Sequence, residues 1–441
     1  MLRSLALFFC AVPGIAAAPA RSSPEWLRSG IIYQVNTRTF SPQGNFAGVT
    51  AQLPRLKQLG VNILWLMPIH PIGRDRAKGS IGSPYAVRDY EAINPAFGTA
   101  ADLHDLVAAA HRQGFKVIVD IVANHTSWDS TLMKSPSYYH HDAAGNVRYP
   151  EDWTDVAWLD YGNPDLRQYM TRVLVKWVKD FDLDGFRCDV AFMVPMDFWE
   201  QLRAALDQVK PDILLLAEAH QPNLVEKAFD LDYSWPLHSA LTNVFENGEP
   251  ANRLQAAWIE EHQTYPTGAL HLHFSDNHDE KRALVRFGER GAMAASALMF
   301  TLDGVPMLYN GMEVGDTTES GAPALFENLP VFWSIAERRP EFLRFYRQLL
   351  ATRNQHAALQ QGELQWLTNS AQDRVLTYLR RNAQEEIFVA INCSSRPWRG
   401  SVDLRGLAEW TSLLTASDSE AELPSVRLSA WGYAIYRRAV H

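Results

Sequence analysis

TAADLHDLVAAAHRQGFKVIVDIVANH, residues 99–125, contains the unit that decides the fold. Residues 99–114 form an amphipathic helical stretch, and Gly114 stands where a helix end needs a left-handed residue before the chain turns. FKVIVDIV (115–122) is a run rich in Val and Ile, the composition of a strand covered on both faces. A helix delivering the chain to such a strand is the repeating piece of a parallel sheet.

Working outward, the same alternation recurs. Before it come IIYQV (31–35), the helical stretch TAQLPRLKQLG (50–60) with Gly60 at its end, and VNILWLMP (61–68). After it come PDLRQYMTRVLVKWVKDF (164–181), DGFRCDV (184–190), DILLLAE (212–218), AFDLDYSW (228–235), ALHLHFS (269–275) and GVPMLYN (304–310). Eight β-like runs joined by helical crossovers predict an α/β fold, a (β/α)8 TIM barrel with insertions. An open doubly wound sheet is the alternative, weakened because no Gly-rich phosphate loop follows the first strand. Between Val122 and Pro164 lies a connection rich in His, Asp, Tyr, Trp and Gly, too long for a plain crossover and placed at a strand's C-terminal end. From about Ala357 the pattern changes. VLTYLRR, EIFVAIN, SVRLS and WGYAIYRR follow one another without helices, predicting a small antiparallel β domain.

Residues 1–20 read as a signal peptide: Arg3 as the positive region, Leu5 to Val12 as the apolar core, and Ala18-Pro19-Ala20 as the cleavage site. The mature chain is therefore expected to be secreted or periplasmic. The apolar stretch is short for a membrane span, so no membrane association is expected after cleavage. The 41 basic and 50 acidic residues give a net charge of −9, with no long Lys/Arg run, which argues against nucleic acid or an anionic membrane as partner. Cys188 and Cys393, each within an apolar run, are expected to be buried free thiols without a disulfide. Aromatic residues make up 11% of the chain, more than a core needs, and flat rings suit a sugar-binding cleft. The protein is expected to act as a monomer.

In a barrel the chemistry sits at the C-terminal ends of the strands. There the third run ends in Asp120 to His125, the fourth in Arg187 and Asp189, the fifth in Glu218, and the seventh leads to His278 and Asp279. Charged residues beside buried strands are costly unless paired or used, and four strands carrying them at one end point to a site. Glycoside hydrolysis needs this set: one carboxylate to attack or stabilise the anomeric carbon and one carboxylic acid to protonate the departing oxygen. Asp189, two residues from Arg187, is expected to be held ionised by the guanidinium. Glu218, with no cation beside it in sequence, is expected to have a raised pKa suited to a proton donor. Asp279 and His278 could bind sugar hydroxyls and stabilise positive charge at the anomeric centre.

DIVANH (120–125), GFRCDV (185–190), LLLAEAH (214–220) and FSDNHD (274–279) resemble, in order and spacing, the four signature segments of the α-amylase superfamily, glycoside hydrolase family thirteen. GSPYAVRDY (82–90), WLDYGNP (158–164) and GVPMLYNGME (304–313) agree with it too. The resemblance covers essentially the whole mature chain. It implies a barrel domain A (21–125 and 156–355), a short domain B insertion after strand 3 (126–155), and a C-terminal antiparallel β-sandwich, domain C (356–441). It also implies Asp189 as nucleophile, Glu218 as general acid/base and Asp279 as transition-state stabiliser. His125, Arg187 and His278 would line the site, Tyr85 would be the platform on which the sugar stacks, and Asp120 would support Arg187. The implied reaction is retaining hydrolysis of α-glucosidic bonds, mainly α-1,4, in starch-derived glucans and maltooligosaccharides. An α-glucosidase or a transglycosylase acting on short α-glucosides is the nearest alternative, since both share the catalytic residues. A non-catalytic carbohydrate-related barrel is a distant one, weakened because Asp189, Glu218 and Asp279 are all present. No added starch-binding module is evident, so soluble dextrins are expected before insoluble granules.

Asn124 and Asp160 match positions that bind a structural Ca²⁺ in many members, and oxygen donors suit that ion. The usual backbone ligand would fall near Met193, where FMVP replaces the commoner Lys-His and puts the ion in question. No zinc-like His/Cys spacing and no organic cofactor motif are found. Trp128, Tyr138, Tyr139, Tyr149, Trp153 and Trp158 crowd the insertion, and most are expected to form its own small core.

Overall fold

The structure is a computed structural model that describes residues 19–404 and 409–440. The expected signal peptide lies almost wholly outside these residues. Eight parallel strands close into a barrel: β1 (Ile32–Val35), β2 (Ile63–Leu66), β3 (Lys116–Ile121), β4 (Gly185–Cys188), β5 (Leu214–Ala217), β6 (Leu231–Tyr233), β7 (His271–His273) and β8 (Val305–Tyr309). Each strand pairs with its neighbours in chain order, and β8 returns to β1 with Ile32 opposite Met307. All eight β-like runs of the sequence supply a barrel strand.

The period of two along each strand sorts its side chains. Ile32, Ile63, Trp65, Ile118, Leu214, Leu216, Leu231, Leu272, Val305 and Met307 belong to one cluster, the filling of the barrel. Their alternates, among them Tyr33, Leu64, Val117, Val119, Phe186 and Leu215, join the larger core under the surrounding helices. Continuing the inner register upward brings Gln34 above Ile32, Asp120 above Ile118 and Arg187 above Gly185. Polar residues therefore line the barrel mouth by strand geometry alone.

The helices between the strands are set by local signals. Thr99 and Asp102 form a capping box at the start of Ala100–Arg112. Asn163 caps Pro164–Phe181, with Pro164 in the first turn where its missing N–H is harmless. Gly60 and Gly114 have φ of 104° and 81°, the left-handed region expected of them.

After β3 the chain forms a short antiparallel hairpin, His125–Ser127 against Val156–Trp158, enclosing two 3₁₀ turns. Tyr139 is buried there with its hydroxyl 2.9 Å from Thr126 Oγ1, and Trp128 and Tyr138 pack on the core. Tyr149 is exposed instead, and Trp153 turns toward the barrel mouth. The C-terminal region has a five-stranded sheet, in the order Glu363–Trp366, Val375–Arg381, Glu385–Asn392, Tyr433–Ala439, Thr411–Thr415, and a three-stranded one, all antiparallel. Between them lies a separate apolar core containing Val375, Phe388, Trp398 and Val426. Cys188 and Cys393 are both free and buried. Among the described residues no helix is long and apolar enough to cross a membrane.

Candidate active site

A cavity of about 420 Å³ opens at the C-terminal end of the barrel, lined by Tyr85, His125, Asp189, Glu218, His278 and Asp279 among others. Tyr85 and Asp279, 194 positions apart in sequence, thus share one wall. Beneath them Arg187 and Asp120 are completely buried.

Arg187 organises the floor. Its Nη1 donates to Asp120 Oδ1 and to Asp189 Oδ1, both at 2.9 Å. Its Nη2 lies 2.8 Å from Glu218 Oε1, and its Nε donates to the Tyr233 hydroxyl at 3.3 Å. A rigid planar guanidinium suits this task, since it holds several carboxylates at fixed angles. Asp120 uses its other oxygen to accept from the Tyr85 hydroxyl at 2.9 Å and from Trp65 Nε1 at 3.3 Å. Asp120 therefore acts on the cavity through Arg187 and Tyr85.

His278 closes the ring of contacts. Its Nε2 is 2.6 Å from the Tyr85 hydroxyl and 3.0 Å from Asp279 Oδ2, while Gln34 Nε2 is 2.6 Å from its Nδ1. The Tyr85 and His278 rings stack with centroids 5.3 Å apart. His125 meets the edge of Trp153 at 5.6 Å, and burial pushes its pKa down to about 4, so the ring is neutral at ordinary pH.

The electrostatics differ from the sequence expectation in two respects: Arg187 reaches Glu218 as well as Asp189, and burial overcomes the guanidinium at Asp189, whose carboxyl is raised and not held low. Arg187 was expected to serve Asp189 and leave Glu218 without a cation, but it contacts both. Burial nonetheless raises Glu218, helped by Asp279 and opposed by Arg187. Burial also raises Asp189 well above the usual carboxylate range, opposed by Arg187 and helped by Glu218, Asp120 and Asp279. Asp120 is raised by burial as well. Burial pushes Asp279 in the same direction, but the adjoining His278 overcomes it and the net shift is downward. Four carboxylates thus face one guanidinium and one imidazole, an excess of negative charge that favours keeping a proton within the group.

Val190, between the two central carboxylates, has φ 36° and ψ 48°. A β-branched residue in the left-handed region carries strain of order 1–3 kcal/mol. The strained turn aims the Val190 N–H at Glu218 Oε2, 2.8 Å away. Nothing in the sequence marks this conformation. Gln34 and Trp65, by contrast, stand two residues beyond inward apolar positions, so strand periodicity carried to the barrel mouth would have found them.

Asn124 and Asp160 each give a side-chain oxygen to a donor of the protein itself. Asn124 Oδ1 accepts from Trp158 Nε1 at 3.1 Å, and its amide faces Met193 Sδ at 3.8 Å, a poor donor for a hard cation. Asp160 Oδ1 accepts from the Gly162 N–H at 2.8 Å within its own turn. The residues present do not fit the expected Ca²⁺ site, and among the described residues no group of three or more His, Cys, Asp or Glu side chains could hold a metal ion. Asn124 and Trp158 instead tie the insertion's hairpin to the barrel. Thermal unfolding should accordingly give the same Tm in EDTA and in millimolar Ca²⁺. A rise of several degrees with Ca²⁺, the mass-action effect of a ligand bound only by the folded state, would contradict this.

The alpha-amylase catalytic-domain family model matches residues 29–158 and 135–334, more than half of the chain. Alpha-amylase MalA of Haloarcula japonica is 28% identical over 87% of this chain, which spans 58% of that relative's length. Among solved structures, an alpha-amylase from Lactobacillus plantarum is 32% identical with a TM-score of 0.83, covering 93% of this chain and 99% of that one. A noncanonic maltogenic alpha-amylase, AmyB of Thermotoga neapolitana, is 29% identical with a TM-score of 0.85, covering 94% and 100%. Taken with a closed eightfold barrel whose mouth gathers three carboxylates around one arginine, these matches establish that the chain belongs to the alpha-amylase family of glycoside hydrolases.

Proposed function

We propose that the protein cleaves α-glucosidic bonds, mainly α-1,4, in maltooligosaccharides and starch-derived dextrins, by double displacement with retention of configuration. The observation that carries this reading is the single guanidinium of Arg187 in contact with both Asp189 and Glu218 at the cavity floor. Carboxylates held by one side chain are close neighbours, as a retaining site requires; about 5–5.5 Å leaves no room for a water between carboxylate and sugar.

In the first step Glu218, as the acid, gives its proton to the glycosidic oxygen. An oxygen of ionised Asp189 bonds to the anomeric carbon as the bond to the leaving sugar breaks. In the second step Glu218, now a carboxylate, takes a proton from water, whose oxygen displaces Asp189 from the same carbon. Asp279, kept anionic beside His278, faces the positive charge that develops on the sugar ring. Tyr85 offers its ring to the sugar's apolar face, and neutral His125 is placed for its hydroxyls.

Product analysis tests the reading. With maltoheptaose and soluble starch the protein should release maltooligosaccharides, maltose or glucose, and it should leave sucrose and trehalose intact. Cleavage of sucrose or trehalose in preference to maltoheptaose would overturn it.

A further inference from the structure

The loop after β2 crosses the cavity mouth and is fastened on both banks. On the insertion's side, the Arg74 N–H donates to both carboxylate oxygens of Asp129 at 3.2 and 3.1 Å. The Arg76 guanidinium lies 3.7 Å above the Trp128 ring, and Lys78 Nζ is 2.8 Å from Asp155 Oδ1. On the other bank is the loop after β8. There the Ser80 N–H donates to Glu327 Oε1 at 3.0 Å, the Ser80 hydroxyl bonds to Glu327 Oε2, and the Ile81 N–H donates to the Phe326 carbonyl at 3.2 Å. Gly79 sits at this seam with φ 65°, and a Cβ there would be 2.3 Å from Phe326 Cβ, so only glycine lets the two loops meet.

Lys78, Ser83 and Phe326 line the same cavity as Tyr85. The β8 loop also rests on the stabilising pair, with the Gly321 N–H donating to the His278 carbonyl at 3.1 Å. The crossing therefore stands on the Tyr85–His278–Asp279 side of the cavity. The leaving group departs on the Glu218 side, where the acid must protonate its oxygen, so the crossing faces the opposite, non-reducing direction of a bound glucan.

We propose that residues 73–83 form a fixed arch that ends the cleft beyond the cleaved sugar, making the enzyme bind the free non-reducing end of a short α-glucan in place of an internal stretch of a long one. The inference rests on the α-glucosidic reading above and adds the direction and reach of the substrate. The arch is held by ion pairs and backbone hydrogen bonds on two different loops. A blocked or continuing chain would have to break one seam to pass, which is how a site excludes a competitor through steric and unpaired-charge cost.

Two 4-nitrophenyl maltoheptaosides distinguish the possibilities, one with a free non-reducing end and one whose terminal glucose carries a 4,6-O-ethylidene group, with products separated by chromatography. The wild-type protein should cleave the blocked compound with kcat/KM about a hundredfold lower than the free one, a steric exclusion beyond the discrimination of a single methylene. Glu327→Ala, which removes the acceptor of both Ser80 bonds, and Gly79→Val, which wedges the seam, should each raise cleavage of the blocked compound at least about tenfold over wild type. Wild-type cleavage of both compounds at similar rates overturns the arch and leaves the α-glucosidic reading standing, whereas cleavage of neither overturns that reading and the arch with it. Folded variants that leave the blocked compound excluded also overturn the arch, and if both variants fail to fold the wild-type ratio alone decides.

Discussion

Asp189→Asn and Glu218→Gln should each lower kcat on maltoheptaose by at least about three orders of magnitude, equivalent to about 4 kcal/mol in the barrier. The first removes the carboxylate proposed to bond to the anomeric carbon, and the second removes the proton proposed for the departing oxygen. Both substitutions are nearly isosteric in a group carrying excess negative charge, so the folded state should persist, with Tm equal to or above that of wild type. The pH profile adds a second readout. The wild-type rate should fall on the acid side as Asp189 takes up a proton and on the basic side as Glu218 loses one. Because burial raises both groups, the acid limb should lie above the ordinary carboxylate range near 4. The two carboxyls share Arg187, so each limb belongs to the pair. In Glu218→Gln the basic limb should vanish from whatever activity remains. Retention of more than about a tenth of wild-type kcat in either variant, a loss of only about 1.4 kcal/mol, would remove the assigned roles.

Arg187→Met should be inactive and should also lose about 3–5 kcal/mol of stability at neutral pH, the range found when one partner of a buried ion pair is removed. The cause is specific. Asp120, with 0% exposure, and Asp189 would keep their burial but lose their cation. The sign of the pH dependence follows. Without Arg187 the folded-state pKa values of these acids stand still further above their unfolded values near 3.9. The penalty is full at neutral pH and fades as pH falls to 4 and below, where the raised folded-state acids are protonated in wild type and variant alike. Denaturant midpoints of wild type and variant should therefore converge on acidification. A constant gap from pH 7 to pH 4 would indicate that Arg187 stabilises through packing alone.

The parts of this molecule that sequence made legible are those governed by short-range rules. Most of the eight β-like runs are rich in Val, Ile and Leu and carry their own strand preference, and left-handed Gly60 and Gly114 mark helix ends. Strand periodicity places Asp120 and Arg187 inside the barrel mouth. Four strands of the terminal domain, Glu363–Trp366, Trp398–Ser401, Thr411–Thr415 and Glu420–Glu422, were not anticipated, since most of their residues are exposed or half-buried and none forms an apolar run. The contacts that shape the cavity were also invisible, because they join distant segments. Ser80 meets Glu327 across 247 positions, and Lys78 meets Asp155 by loop closure. Sequence adjacency was misleading for charge: Glu218 has no cation beside it in the chain, yet Arg187 reaches it from the neighbouring strand. The bond from Trp158 to Asn124, across 34 positions, was invisible for the same reason.

The central claim is that Asp189 bonds to the sugar and Glu218 exchanges protons at the leaving oxygen. It is tested most directly by proton NMR of the first product released from maltoheptaose, recorded before mutarotation. A new reducing end appearing first as the α-anomer is the predicted result, because two displacements at one carbon restore its configuration. A new reducing end appearing first as the β-anomer would contradict the account, since Asp189 would then be activating water and not attacking the sugar.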